Sequence, residues 1–462
     1  MTWSRDPGSF KDPGGFVFSS DGVIHRQVNA SFADSYGRLM KSGLYESLVR
    51  DGLMVAHEEV PLRLPGAPPA LTVLRPDQVP FISYPYEWCF SQLKAAALLT
   101  LKIQRRAIAR GMVLRDASAY NVQFVGTRPT FIDTLSFGEY IEGLPWSAYR
   151  QFCQHFLAPL ALRARTHHSL GDLARVHIDG IPLDLTAKLL PFRSRFSPGL
   201  LMHVHLHGWS TRKALDEVSP VRSVKGRMGR AAMLGLIDGL ERTVTNLQYN
   251  RSSTLWSTYS AHLNYSAAAQ DHKYRIVDEM IDAAAARSPL RMAWDPGANT
   301  GRYSRLTAGR VAHVVSFDGD HASVEQNLAE SRDGGHAILP LVQDLTNPTA
   351  TGGWNGSERR SLFERGPADL ALALALVHHL AIGSNVPLDS VAAFFRRICR
   401  YLIVEFVPKE DSQVQRMLTL RDDVFAGYTQ QFFEQAFAGH FSIVRSVPIE
   451  GTVRTLYLME RR

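Results

Sequence analysis

The second half of the chain alternates apolar runs with amphipathic segments in a regular order. The pattern predicts helices over 270–286, 301–309, 321–331 and 387–400, and strands over 290–295, 311–317, 336–343, 369–377 and 401–407. Strict strand–helix alternation is typical of a parallel, doubly wound sheet, because each helix carries the chain back to the same edge. The end differs: FSIVRSVPI and TVRTLYLM are separated only by Glu450 and Gly451, which predicts an antiparallel hairpin at the sheet edge.

The first half has a mixed pattern. GFVF and VIHRQV flank SSDG and predict a β-hairpin, while residues 32–55, 89–110 and most of 145–245 have helical periodicity. Further strands are predicted at PALTVLRP, VPFISYPYEW, MVLRD and PTFIDTL. Residues 218–232 are basic and contain glycine, which is typical of a connector. The change of rhythm predicts an α+β domain over 1–245 and an α/β domain over 246–462.

Composition narrows the class of protein only slightly. A chain of 462 residues suggests two or three domains, and its net charge of +7 permits an acidic partner such as nucleic acid or an anionic glycan. The basic residues form no long run, which favours a solvated basic surface. The three cysteines lie far apart without a CxxC or His/Cys cluster, so no disulfide framework and no metal site are expected. With no signal peptide and no run of the ~20 apolar residues that a membrane span needs, we expect a soluble, cytoplasmic protein.

A loop of small residues follows the strand 290–295 and suggests a nucleotide site. Its skeleton is Asp295, Gly297, Asn299 and Gly301. A dinucleotide-binding loop would place its third glycine at position 302, which is Arg, and needs no acid before the first glycine. The spacing resembles instead the DxGxGxG loop of S-adenosylmethionine-dependent methyltransferases, with Asn299 in place of the middle glycine. Asn tolerates a positive φ better than other non-glycine residues, so this replacement is mild.

Acidic residues follow the next two strands of the predicted sheet. Asp318 ends the second strand, 21 residues after Gly297, where a carboxylate can accept both ribose hydroxyls of a nucleoside, and Asp320 is a second choice for this role. Asp344, followed by Leu345, ends the third strand, where it can accept the adenine amino hydrogens. Each acid alone could instead cap a helix. Their repetition at consecutive strand ends favours a cofactor site.

Residues 250–462 therefore resemble the class I S-adenosylmethionine-dependent methyltransferases. The resemblance implies a seven-stranded, Rossmann-like sheet with its last strand antiparallel, and transfer of the sulfonium methyl group by in-line displacement. The pattern of the full chain, including RDASAYNVQF, FIDTLSF and WSAYRQFCQHFLAPLAL, also resembles a bacterial group of nodulation-protein-like methyltransferases.

Residues that could act on the methyl acceptor follow the fourth and fifth strands. His378 and His379 come after ADLALALALV, and since neighbours at a strand end point in opposite directions, at most one should face the site. Either could instead be a core or capping histidine. Glu405 ends the fifth strand and could hold an acceptor amine or hydroxyl, or form a structural ion pair. The aromatic segment 255–266 is either a lid or packing, and the long loop 346–367 is either functional or mobile.

The first half carries a second candidate site. Asp116 precedes Asn121 by five residues in LRDASAYN, and Asp133 follows in FIDTLSFG. This order weakly resembles protein kinases and aminoglycoside phosphotransferases, in which it implies a base and two groups that hold Mg²⁺. A GxGxxG loop and an early-strand Lys of the VAIK type are both absent from the sequence. The alternatives are a degenerate kinase-like scaffold or a tight turn built by Asp and Asn.

We therefore expect a methyltransferase that uses S-adenosylmethionine and methylates a small-molecule, glycan or lipid acceptor. A nucleic-acid acceptor is permitted by the charge but has no supporting motif, since TNPT at 346–349 is a poor match to the NPPY tetrad of amino-methylating enzymes. Two other functions stay open. The protein could be a bifunctional or purely phosphotransferring enzyme that uses Asp116, Asn121 and Asp133, or a non-catalytic binding module with a cofactor fold.

Overall fold

The structure, a computed structural model, describes residues 3–207, 228–249, 266–419 and 422–462. The chain divides into two compact units. The first comprises Met1–Arg251 together with Gly352–Arg359, and the second comprises Ser252–Thr351 and Arg360–Arg462. The domain boundary at 245/246 stays a prediction. The aromatic segment 255–266 and most of the connector 218–232 lie outside the described residues.

The first unit begins with an antiparallel sheet. Its strands, in the order β1-β2-β3-β5-β4, are β1 (Trp3–Arg5), β2 (Gly15–Ser20), β3 (Val23–Asn29), β4 (His57–Val60) and β5 (Ala70–Pro76). The helices α1 (Ala33–Lys41) and α2 (Leu44–Arg50) lie between β3 and β4 in the chain. The predicted hairpin around SSDG is confirmed as β2 and β3, which pair from Gly15–Val28 to Ser20–Val23.

In this region, one predicted strand is absent and one observed strand was not predicted. VPFISYPYEW forms no strand, because its backbone donors are used locally: the Ser83 N–H donates to the Gln123 side chain and the Tyr84 N–H to the Glu87 carboxylate, both at 2.9 Å. A proline cannot donate to a ladder, and this stretch contains two. Conversely, β4 has no apolar pattern. It is the polar edge strand HEEV, with both glutamates exposed.

The rest of the first unit is largely helical, as predicted. The long helix α3 (Phe90–Ala109) is followed by two small antiparallel strand pairs, β6 (Met112–Leu114) with β9 (Phe137–Glu139) and β7 (Val122–Val125) with β8 (Arg128–Phe131). The later helices are α4 (Tyr149–Phe152), α5 (Ala158–Arg165), α6 (Leu173–Val176), α7 (Leu183–Leu189), α8 (Pro198–Leu200) and α9 (Arg230–Asn246). Wider helical turns of the π type occupy Cys153–Leu157 and Leu201–Leu206.

The second unit contains a seven-stranded sheet. Its strands are β10 (Met292–Pro296), β11 (His313–Asp318), β12 (Ile338–Val342), β13 (Ala368–Ala373), β14 (Cys399–Phe406), β15 (Phe441–Pro448) and β16 (Thr455–Arg461). They lie in the order β12-β11-β10-β13-β14-β16-β15. The first five are parallel, and β16 is antiparallel to both of its neighbours. The predicted seven-stranded sheet with an antiparallel last strand is confirmed.

Helices connect these strands; the first four lie at the predicted places, and the last two were not predicted. They are α10 (Ala267–Arg287), α11 (Arg302–Ala308), α12 (His321–Asp333), α13 (Leu388–Ile398), α14 (Ser412–Leu418) and α15 (Gln430–Ala438). Ile276, Val277 and Met280 of α10 are buried in the same apolar core as Leu370 and Tyr401 of the sheet. Burial of this stripe provides most of the stability of such a helix, because its exposed face gains little from folding.

Two element boundaries differ from the predictions. The fourth strand ends at Ala373 rather than Val377, and the apolar run continues as a buried turn with Ala375 at φ +50°. Apolar periodicity cannot separate a buried strand from a buried turn or helix that continues it. The terminal hairpin is joined by residues 449–454 rather than by two residues. There the Ile449 N–H donates to the Arg454 carbonyl oxygen (2.9 Å), which closes a wider loop.

Within the described residues, no helix combines the length and the apolar character needed to cross a membrane. Cys89, Cys153 and Cys399 are all buried free thiols.

Candidate functional site

The loop after β10 is a tight turn held against the neighbouring strand. The N–H groups of Gly297 and Ala298 both donate to the Phe317 carbonyl oxygen, at 2.8 and 3.0 Å. Gly297, Asn299 and Gly301 have φ values of +79°, +50° and +80°. Asn299 thus has the left-handed conformation expected of the residue that replaces the middle glycine. The turn carries the backbone across the ends of β10 and β11.

Gly301 is required by packing as well as by its φ value. It precedes α11, and a Cβ atom there would overlap the side chain of Asn327. Asn327 is fixed in place, because its amide donates to Ser316 Oγ and its carbonyl oxygen accepts from Ser331 Oγ, both at 3.0 Å. The absence of a side chain at position 301 therefore lets α11 start close to α12.

Asp318, at the end of β11, faces this loop. Its Oδ2 accepts from the Asn299 N–H and its Oδ1 from the Asp320 N–H, both at 2.8 Å. Burial raises the pKa of Asp318 to about 6, although these hydrogen bonds act to lower it. A carboxylate can accept about four hydrogen bonds, so two of them leave capacity for further donors.

Asp295, the acid before the loop, is buried beneath it. Its Oδ2 accepts from Ser304 Oγ of α11 at 2.5 Å, which ties the end of β10 to that helix. Burial raises the pKa of Asp295 to about 7, against the lowering effect of the Ser304 hydrogen bond, and the charge of Asp318 adds to the rise. A carboxyl group in this position is ready to ionise when a cation or a strong donor comes close.

The other predicted cofactor residues have different surroundings. Asp320 caps α12, since its two carboxylate oxygens accept from the Ala322 N–H (3.1 Å) and from Ser323 Oγ (3.0 Å). Asp344 is exposed, and its Oδ1 accepts from the N–H and Oγ of Thr346. Leu345 beside it is half-buried. The contacts of Asp320 match the helix-capping alternative, and the cofactor roles of Asp320, Asp344 and Leu345 stay predictions.

His378 and His379 lie in a helical turn, so the prediction that they alternate at a strand end is wrong. His378 immediately precedes the π-type turn His379–Gly383, and the two ring centroids are 4.1 Å apart. The His378 side chain is fully buried, and neither of its ring nitrogens has a hydrogen-bond partner among the described residues. Burial lowers the pKa of both imidazoles, that of His379 to about 4. Both rings are therefore neutral near pH 7.

Glu405 is part of a buried ion-pair network. Its Oε2 accepts from Lys273 Nζ at 2.6 Å, and its Oε1 lies 3.3 Å from Arg454 Nη1. Arg454 in turn holds Asp411 through two contacts of 2.6 and 2.9 Å. These contacts match the structural ion-pair alternative, and an acceptor role for Glu405 stays a prediction.

Sequence reasoning missed Lys273, although a signal for it exists. Lys273 lies on the apolar stripe of α10, three and four residues before the buried Ile276 and Val277. A lysine on such a stripe needs a buried anionic partner, because desolvation of an unpaired ammonium group is costly. Burial lowers the pKa of Lys273, whereas Glu405 raises it.

Two cavities of the second unit lie near the ion-pair network of Glu405 and the turn that follows His379. One, of about 430 Å³, is lined by Glu410–Ser412 and Gly451–Arg454. The other, of about 540 Å³, is mostly apolar and is lined by Ala381 of the turn after His379 and by Val386, Phe425, Tyr428 and Phe432.

The three candidate residues of the first unit are brought together, but they are occupied. Asp133 accepts from Ser136 Oγ (2.5 Å) and the Leu135 N–H (3.1 Å), and it forms an ion pair with Arg26 (2.7 Å). The Asn121 amide donates to the same Ser136 hydroxyl at 3.0 Å. Burial raises the pKa of Asp116, and the nearby charge of Asp133 raises it further. In the described parts of the chain, no group of three His, Cys, Asp or Glu residues is arranged to hold a metal ion.

An early strand does carry a cation near Asp133, but it is Arg26 and not a lysine of the VAIK type. It lies on β3, and besides Asp133 its guanidinium approaches Asp12 at 3.5 Å. The tight-turn alternative also has support, since Asp116 accepts from the Ser118 N–H (2.8 Å) and Ala119–Asn121 form a 3₁₀ turn.

Comparison with known proteins gives one close relative. No family model matches the chain. The nodulation protein NoeA of Rhizobium meliloti (strain 1021) is 36% identical over 466 residues, which cover 99% of this chain and 96% of that protein.

Two solved structures are more distant. The magnesium protoporphyrin IX methyltransferase ChlM from Synechocystis PCC 6803, with bound SAH, is 16% identical with a TM-score of 0.33, over 46% of this chain and 95% of that one. The N-methyltransferase NodS from Bradyrhizobium japonicum WM9, in complex with S-adenosyl-l-homocysteine, is 9% identical with a TM-score of 0.31, over 43% of this chain and 90% of that one.

Proposed function

The chain belongs to the family of the nodulation protein NoeA, and from this premise and the geometry of the second unit we propose that it is an S-adenosylmethionine-dependent methyltransferase. The observation that carries the proposal is the contact between Asp318 and the Asn299 N–H, which brings a half-buried carboxylate to the edge of a glycine loop. In an open α/β sheet, ligands bind at the carboxyl ends of the strands, where this contact lies.

The loop suits a sulfonium nucleoside better than a dinucleotide. The positive φ values of Gly297 and Gly301 let the backbone turn tightly at the strand ends, and no pyrophosphate has to be held at a helix N-terminus. Asp318 has spare acceptor capacity for the ribose hydroxyls. Asp295 is buried with a raised pKa, so a nearby positive charge would favour its ionised form. The glycine loop and the two carboxylates therefore fit S-adenosylmethionine.

His378 is the proposed proton acceptor for the methyl acceptor group. When bound, the cofactor supplies an electrophilic methyl group; a base is needed if the acceptor is a protonated hydroxyl or amine. Two residues before His378, Leu376 approaches Gly297, since a Cβ on that glycine would lie 3.2 Å from Leu376 Cδ1. His378 lies two residues after this contact, and both nitrogens of its neutral imidazole have no partner among the described residues. The acceptor class we propose is a small molecule, a glycan or a lipid.

Cofactor binding by the full chain tests this proposal. Labelled S-adenosylmethionine should bind the unaltered protein, and Gly297→Arg and Asp318→Ala should abolish or strongly weaken binding. Gly335→Arg is the matched control, since Gly335 also has a positive φ but a Cβ there would meet nothing within 4 Å. Equal binding by all four proteins would refute the site. Binding without methyl transfer to glycan, lipid, nucleic-acid or protein pools of a cell extract would favour a non-catalytic module instead.

For the first unit, we propose a kinase-like scaffold that has lost phosphotransfer. The convergence of Asp116, Asn121 and Asp133 favours the phosphotransferase alternative, but Arg26 supplies a positive charge at Asp133 where such an enzyme would bind Mg²⁺. ATP with Mg²⁺ should leave the melting temperature of the full chain unchanged. A shift that is present in the unaltered protein and lost in Asp133→Ala would restore the phosphotransferase proposal.

A further inference from the structure

One surface of the first unit exposes a group of large apolar side chains. We call it the 189–206 surface. Its exposed members belong to α7, the 3₁₀ turn Phe192–Phe196 and the π-type turn Leu201–Leu206; they are Leu189, Phe192, Phe196, Leu201, Met202 and Leu206. Phe192 is 67% exposed and Phe196 is 75% exposed. Exposed apolar patches of this kind mark interaction sites in soluble proteins more often than single exposed residues do.

The turn that carries the two phenylalanines is firmly anchored. Ser194, between them, is buried, and its hydroxyl lies 2.8 Å from His205 Nε2 of the π-type turn. Leu200 and Val204 point into the core from the same stretch. The rings of Phe192 and Phe196 contact each other edge to face at 5.6 Å. The inner side of this segment is packed against the protein, so the segment that carries the exposed side chains is not frayed.

The charged side chains of residues 185–207 are all positive. Lys188, Arg193 and Arg195 are exposed, and residues 185–207 contain no Asp or Glu. None of the three cations has an acidic partner among the described residues. The Arg195 guanidinium stacks over the Phe192 ring at 5.2 Å. Cationic and apolar side chains are therefore interleaved along this exposed segment.

We propose that the 189–206 surface docks the protein on an anionic lipid bilayer. Aromatic and aliphatic side chains favour the boundary between headgroups and acyl chains, and neighbouring Lys and Arg side chains favour anionic headgroups. Nucleic acid would use the cations but leave four aliphatic side chains exposed to water. The surface lies on a bilayer rather than crossing it, since none of the described helices can span one.

Co-sedimentation of the full chain with vesicles tests this proposal. The protein should bind vesicles of phosphatidylcholine mixed with phosphatidylglycerol, bind pure phosphatidylcholine vesicles far more weakly, and dissociate as salt is added. The double variants Phe192→Ser/Phe196→Ser and Arg193→Glu/Arg195→Glu should each lower the partition coefficient at least about tenfold.

Matched controls separate this surface from exposure or charge in general. Phe432→Ser removes an exposed phenylalanine of the second unit, and Arg63→Glu/Arg165→Glu reverses two exposed arginines elsewhere in the first. Both should bind vesicles like the unaltered protein, and every variant should keep its circular dichroism spectrum. The proposal is overturned if the unaltered chain binds neither vesicle, or if the controls lose as much binding as the surface variants. It is also overturned if Phe192→Ser/Phe196→Ser converts a dimer to a monomer, which would identify a second copy as the occupant.

Discussion

Asp318 and Asp320 are two residues apart on the same loop, but their contacts predict different effects of mutation. Asp318→Asn keeps the shape and removes the charge that we propose accepts the ribose hydroxyls, so affinity for S-adenosylhomocysteine should fall about 10- to 100-fold, as expected for a hydrogen bond to a charged group. Asp320→Asn should change affinity less than about threefold, because Asn caps a helix as well as Asp does. Isothermal titration calorimetry measures both. If Asp320→Asn lowered the affinity more than Asp318→Asn does, Asp320 rather than Asp318 would be the residue that binds the ribose.

The buried acids predict opposite pH dependences for folding and for cofactor binding. Burial raises the pKa of Asp295 to about 7 and that of Asp318 to about 6. Groups with raised pKa values contribute stability below their unfolded pKa, near 4, and lose it as pH rises through the folded value. The unliganded second unit should thus lose on the order of a few kcal/mol between pH 4 and about 7.

Cofactor affinity should increase over the same range, because the ionised carboxylate is the better acceptor, and should level off above about pH 7. Melting temperatures and titrations from pH 5 to 8 measure both trends. Asp318→Asn serves as the control and should flatten the binding curve. An affinity that does not change with pH would contradict the proposed role of Asp318.

At the scale of single residues, the sequence identifies groups that end a strand but not those that pair across the fold. Asp318 could be predicted because it directly follows an apolar run. Lys273 could not be assigned a partner, since Glu405 lies 132 positions further along the chain. The ion pair of Arg26 with Asp133 could not be predicted either, because the two residues are also far apart in the chain. Only the three-dimensional structure brings such residues together.

At the scale of structural elements, the start of α11 should be sensitive to a small substitution. Gly301→Ala adds a left-handed alanine and an overlap with Asn327, and should lower the free energy of unfolding of the second unit by about 2–4 kcal/mol. Gly335→Ala, at φ +66° in open space, should cost only about 1–2 kcal/mol. Urea unfolding measures both. Equal losses would mean that α11 can move away from α12 at little cost.

The ion-pair network between α10 and β14 gives a second prediction. Lys273→Met removes the ammonium group that donates to Glu405 while the carboxylate stays buried, and should destabilise the second unit by about 3–5 kcal/mol. Adding Glu405→Gln to this variant should recover part of the loss, because the buried charge is then removed. The exposed pair Lys409–Asp423 is the control, and Lys409→Met should cost less than about 1 kcal/mol. If Lys273→Met destabilised the second unit as little as Lys409→Met does, the pair of Lys273 with Glu405 would not stabilise the fold.

Elements could be predicted where an apolar pattern and a stop signal coincide. The five parallel strands met this condition, and so did the long helices. The prediction failed at VPFISYPYEW, where side chains take the backbone donors, and at β13, where a buried turn extends the apolar run. It also missed β4, because a polar edge strand has little apolar signal.

At the scale of the whole molecule, the two folded units are not two continuous stretches of the chain. The loop 346–367 was expected to be functional or mobile from its length, but Gly352–Arg359 fold with the first unit. Glu358 is buried there, 2.9 Å from Lys11 Nζ, and the Arg359 guanidinium stacks on the Tyr120 ring at 3.9 Å. The paired residues are more than 200 positions apart in the chain, so no local pattern could have predicted these contacts.

This arrangement predicts that a substitution in the loop will destabilise the unit in which the loop folds. Glu358→Gln removes a buried negative charge that pairs with the exposed Lys11 ammonium group, and should lower the melting temperature of the first unit by several degrees. Calorimetry with and without S-adenosylhomocysteine assigns the transitions, because the ligand should raise only the transition of the second unit. Glu364→Gln, an exposed acid bonded locally to Ser361 in the second unit, is the control and should leave the first transition unchanged. If Glu358→Gln instead lowered the ligand-sensitive transition, residues 352–359 would fold with the second unit.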